Sequence, residues 1–251
     1  MAKKFGNANP IMSKIGSIAS ERSFVGSESA MTLQGTINKS LLLIGILMVA
    51  ASISWSMYFT NPSQAVVLTY GGLFGGIGVA IALYFKQEWA PQLAWLYAVL
   101  EGLFLGGLSA SYALSYEGIV YKAIGLTICV LLLMLILYRF QIIKVTEKLR
   151  SAIIAATGGI MLFYLVSFGF SLFTGDSLPY LRDGSLMSIG ISLVIVVVAS
   201  LNLLLDFDMI EKGVAAQAPK SYEWFAGFAL LATLVWLYFE LLRLLSYLSG
   251  D

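Results

Sequence analysis

Hydrophobic and polar positions along the chain fall into long blocks, not short periods. Seven apolar runs stand out, at about Ser40–Phe59, Ala65–Phe85, Ala90–Ser111, Val120–Phe140, Ser151–Phe173, Leu186–Leu205 and Tyr222–Ser246, joined by short polar links. Each is close to the ~20 residues that an α-helix needs to cross a bilayer core. None alternates at period 2, as the strands of a membrane barrel do, so the runs predict helices. The polar residues before them predict a tail, partly helical from Ala30 to Lys39. The expected organisation is a polar N-terminal tail over residues 1–39 and an all-α integral-membrane domain over residues 40–251, a bundle of seven transmembrane helices.

Composition strengthens that picture. The chain is 59% hydrophobic and 12% charged, with a mean hydropathy of +0.87, whereas soluble domains are about a quarter charged. The net charge of +1 leaves no basic footprint for nucleic acid. Histidine is absent and Cys129 is the single cysteine. This excludes Ser-His and Cys-His catalysis and the H-E-x-x-H metal motif, and no enzyme constellation is visible. No apolar core closely follows Lys3 and Lys4, so no cleaved signal peptide is expected.

Charge placement gives an orientation. With the tail inside, all the basic residues except Lys122, Arg182 and Arg243 fall on the inner side. The positive-inside rule then predicts a cytoplasmic N-terminus and, by parity, an outer C-terminus in a multi-pass membrane protein. Gly71/Gly75, Gly72/Gly76 and Gly102/Gly106 have the spacing that lets helices approach closely, and predict packing within the bundle.

Chemistry is expected where charge enters an apolar run, because an intramembrane charge costs ~2.5–3.5 kcal/mol on insertion scales. Glu101 lies ~17 Å into the third run, near the bilayer middle. It has no partner nearby in sequence: it is protonated, faces water or meets a basic or polar group across the bundle, where its mid-depth points to Thr233, Trp236 or Glu240 of the seventh helix. Glu240 and Arg243 share a helix face and predict a mutually neutralised pair in the outer half, with Arg243 reaching outward. Asn202 and Asp206 share another face. Asp206, Asp208 and Glu211 close the sixth run. They read either as solvated acids at the inner boundary or as a hard-cation site. No resident cofactor is expected; the alternative to solvated acids is a hard-cation or proton site, which would hold Ca²⁺ only transiently.

Four segments in order resemble the bacterial YccA-like branch of the Bax inhibitor-1 (TMBIM) family: MTLQGTINKS, LYAVLEGLFLGGLSAS, LNLLLDFDMIEKGVA and EWFAGFALLATLVWLYFELLRLLS. The resemblance spans the chain from about Met31 onward. It implies seven transmembrane helices with the last one central, wrapped by the other six, and a pH-sensitive calcium leak. In calcium-leak members an acid of the sixth helix pairs with an acid of the seventh. Here the sixth-helix Phe-Asp pattern maps to Phe207-Asp208, and a shift of two selects Asp206. Counting back from the shared LLRLL ending puts the second acid on or near Thr233, which does not titrate. A literal di-aspartyl sensor is absent: either Glu101 or Glu240 substitutes at a different depth, or this branch does not gate in that way. The branch resembled also implies a cytoplasmic-membrane location. The expected function is a pH-modulated cation leak with calcium favoured. Its ion-pathway or pH-sensing candidates are Glu101, Asn202, Asp206, Asp208, Thr233, Glu240 and Arg243. The alternative is a non-conducting regulator of membrane protein quality control. The resemblance implies a membrane-bound AAA protease as its partner, beside the lipid bilayer.

Overall fold

A computed structural model of the protein describes residues 30–174 and 184–250. The tail residues Lys3, Lys4, Lys14 and Arg22, and Arg182 after the fifth run, lie outside the described residues. Among the described residues seven α-helices follow one another: α1 (Leu33–Thr60), α2 (Pro62–Phe85), α3 (Ala90–Ser115), α4 (Ile119–Arg139), α5 (Glu147–Thr174), α6 (Leu186–Ala215) and α7 (Tyr222–Ser249). A 3-10 turn, Gln87–Trp89, leads into α3. All seven helices are long and apolar enough to cross a membrane. The one β contact among the described residues is an isolated antiparallel bridge between Ala30 and Pro219.

Two boundaries depart from the hydropathy pattern. Helix α1 starts at Leu33, not Ser40, because the Thr32 side chain caps it by accepting from the Gly35 N–H at 2.9 Å. Helix α6 continues to Ala215, where the apolar run ended at Leu205. A charge ends a hydrophobic run without ending a helix: Glu211 and Lys212 are good helix formers, and Asp208 pairs with Lys212 one turn on. At 30 residues, α6 is ~45 Å long, well beyond a ~30 Å hydrocarbon core.

Helix α7 packs against α1, α3, α4 and α6, and its Glu240 takes a hydrogen bond from Tyr164 of α5. It is central, as the resemblance implies, but its wrapping is uneven: α2 packs outside, on α1 and α3. One core unites Phe228, Leu231, Val235, Tyr238 and Leu242 of α7 with residues such as Leu43, Tyr97 and Leu105. The other unites Leu237, Leu241 and Leu244 with Leu203, Leu204 and Met134. The glycine spacing serves this packing. A Cβ on Gly72 would strike the Leu100 carbonyl, and one on Gly102 or Gly106 would strike the carbonyls of Leu47 or Ala51. The outside is apolar instead: Val67, Phe74, Leu162, Leu165 and Val166 are all exposed. The starts of α1, α5 and α7 gather with the ends of α4 and α6 at one end of the bundle, which we call the near end.

Candidate functional site

Helix α6 carries Asn202, Asp206, Asp208 and Glu211 within three turns, so the 100° step between residues decides what each one meets. Asp206 points to α7. The Thr233 hydroxyl lies within hydrogen-bonding reach of its carboxyl, and the same hydroxyl donates to the Ala229 carbonyl at 3.2 Å. Asp206 Oδ2 is buried and has no hydrogen-bond partner among the described residues. A threonine hydroxyl both donates and accepts, so Thr233 can serve Asp206 whether that carboxyl is charged or neutral.

Asp208, two residues on, is turned ~200° away. It is buried and takes two cations, Arg150 from the first turns of α5 and Lys212 at 2.9 Å. Glu211 accepts from the Tyr138 hydroxyl of α4. The three acids therefore do not form the expected cation site. Each points to a different neighbour, and no group of three His, Cys, Asp or Glu among the described residues could hold a metal ion. The placement also differs from the Phe207-Asp208 reading, since the acid facing Thr233 is Asp206. Asn202, one turn before Asp206, ties α6 to α5 by donating to Thr157 Oγ1 at 2.8 Å, and also donates to the Val198 carbonyl at 2.9 Å.

Glu240 and Arg243 are the expected pair, joined at 2.6 Å. Arg243 does not reach outward, however; both residues are buried, Glu240 completely. Tyr164 explains this. Its hydroxyl donates to Glu240 Oε1 and accepts from Arg243 Nη2 at 2.7 Å. The guanidinium also stacks over the rings of Tyr164 and Phe239, and Trp236 Nε1 adds a hydrogen bond to Glu240 at 3.3 Å. A desolvated ion pair persists only with such additional partners. Neither Tyr164 nor Arg150 could be named as a partner beforehand, because the chain shows no spacing that links α5 to α6 or α7.

Glu101 is buried within the bundle. Its carboxylate lies against Gly76 of α2 and beside Tyr97, one turn earlier on α3. No hydrogen bond joins it to the expected Thr233, Trp236 or Glu240 among the described residues; Thr233 lies beside Asp206 and Trp236 donates to Glu240. Two contacts fix the register of α3 on α7: the Tyr97 and Phe228 rings are 4.7 Å apart, and Ser109 bonds Tyr238 at 2.7 Å. Interpolation puts Glu101 level with Leu231–Ala232, within about a turn of Thr233 but across the axis of α7.

A family model described as Bax inhibitor 1 like matches residues 9–250. The chain belongs to the Bax inhibitor 1-like family. No curated protein matches it significantly. In this Bax inhibitor 1-like protein the sixth and seventh helices pack through an apolar core, and beside it the Asp206 carboxyl faces the Thr233 hydroxyl. Glu240 lies in another cluster, where Tyr164, Trp236 and Arg243 engage it.

Proposed function

We propose that this multi-pass membrane protein is a pH-modulated cation leak, with calcium the favoured ion and a cytoplasmic N-terminus. The observation that carries the reading is Asp206, a buried carboxyl with one unpartnered oxygen, facing Thr233 on the central helix. A charged carboxylate buried in this way needs a counter-ion, and hard cations take oxygen ligands such as Asp206, Thr233 and backbone carbonyls. A neutral carboxyl needs none. The same group thus holds the cation and responds to pH.

Asp208 acts as the clasp. While charged, it holds Arg150 and Lys212 and ties α5 to the near end of α6. Removing that charge frees Arg150 and Lys212 and loosens α5 from α6. A cation captured by charged Asp206 is released when the carboxyl takes a proton, so leak rises on acidification. The test is calcium uptake by proteoliposomes at two pH values. Wild type should exceed empty liposomes and rise at the lower pH. Asp208→Asn should be high at both values. Uptake equal to empty liposomes at both pH values would refute the proposal.

A second reading rests on the polar stretch before Leu33, which a membrane-bound AAA protease could grip. Co-purification of a protease with the full chain, lost when residues 1–29 are removed and accompanied by no ion flux, would replace the leak with that regulatory role.

A further inference from the structure

The near end of α7 is joined to the start of α1 by a helix cap whose parts come from two distant segments. In a capping box the N-cap Ser or Thr bonds the third helical N–H, and a Glu or Gln at that third position bonds back to the N-cap N–H. Here Thr32 is the N-cap and accepts from Gly35 N. The third position is Gly35, with no side chain to return. Glu223, from the first turn of α7, supplies the carboxylate instead. Its Oε1 accepts from Thr32 N at 2.9 Å and from Thr32 Oγ1 at 3.0 Å. A Cβ on Gly35 would lie on that carboxylate.

The other Glu223 oxygen pairs with Lys39, whose ammonium also sits 5.3 Å from the centre of the Trp224 ring. Glu223 is 1% exposed and Lys39 is half-buried, so the pair lies at the edge of the bundle. Beside it, Met31 N donates to the Ala218 carbonyl at 2.8 Å, and Ala30 bridges to Pro219. Met31 packs with Ile210, Ala218 and Ala226. Residues 30–39 are thus fastened at three levels to the α6–α7 link and the first turn of α7.

We propose that this split cap is a latch: residues 30–39 hold the near end of α7 in place, and their release frees α7 to move at the level where Asp206 meets Thr233. Glu223 is ten residues before Thr233 on one continuous helix, ~15 Å away, so displacement at the latch is carried to that level. Anything that binds or pulls the N-terminal segment would act through this joint. The latch rests on the Asp206–Thr233 reading only for its effect on flux.

The test uses the full chain in lipid, in a Cys129→Ser background with Ala229→Cys as reporter. Ala229 lies one turn before Thr233 on the same face. Gly35→Ala displaces the Glu223 carboxylate while keeping every charge, and Thr32→Val removes the hydroxyl that joins the two halves. In either variant, labelling of the reporter by a membrane-impermeant thiol reagent should rise at least about tenfold, the factor that corresponds to ~1.4 kcal/mol of lost closed-state preference. Gly45→Ala, on the same helix where a Cβ would meet nothing within 4 Å, should leave the rate unchanged. Amide hydrogen exchange at Met31 and Thr32 reports whether the latch has opened. Fast exchange there with unchanged reporter labelling would overturn the proposal. Faster labelling without calcium flux would keep the latch and remove the leak.

Discussion

At the residue scale, two acidic contacts of α7, at Glu240 and with Asp206, differ in kind. Glu240 is matched by Arg243, Tyr164 and Trp236. Removing one member strands the others, so Glu240→Gln should cost about 3–5 kcal/mol of stability. The paired change Glu240→Leu with Arg243→Met should cost much less. Denaturant unfolding in detergent reads both. Asp206 has only the Thr233 hydroxyl. Placing a second carboxyl there with Thr233→Asp would create a coupled pair, whose protons come off in two macroscopic steps. The pH profile of calcium uptake should then broaden or split, and an unchanged profile would show that position 233 does not face the sensing acid. Counting back from the LLRLL ending singled out Thr233, and its hydroxyl lies beside Asp206. Choosing between Asp206 and Asp208 was beyond the sequence, because two residues apart on a helix means opposite faces and only packing says which face is α7's.

At the element scale, the existence of all seven helices was legible, since a run of ~20 apolar residues leaves few alternatives. The ends were less so. Charges at Asp206, Asp208 and Glu211 read as a membrane boundary, yet α6 carries them inside a helix that continues to Ala215. Asp206 lies nine residues, ~14 Å, before the end of α6. Its partner Thr233 lies eleven residues into α7, ~17 Å from that helix's start. The small-residue faces gave a firmer expectation. Gly106 meets the Ala51 backbone of α1, whereas Gly71 faces open space. Gly106→Leu should destabilise the fold by at least ~1–3 kcal/mol, the usual cost of overpacking. Gly71→Leu should be near neutral, and thermal unfolding in detergent compares the two.

At the scale of the whole molecule, α7 stands between two cores. One is built mainly with α1 and α3, the other with α4 and α6. Asp206 belongs to the second group and Glu101 to the first, at similar heights on opposite sides of α7. The near end is crossed by two charged fastenings. Arg150–Asp208–Lys212 ties α5 to α6, and Lys39–Glu223 ties α1 to α7. Such an arrangement can change state by moving α7 against either group without unfolding a helix. The measurement that bears most directly on this account is calcium uptake as a function of pH by proteoliposomes carrying wild type or Asp206→Asn. The account predicts that wild-type uptake rises on acidification and that the variant's uptake is low and independent of pH. An Asp206→Asn profile that overlays the wild type would contradict it.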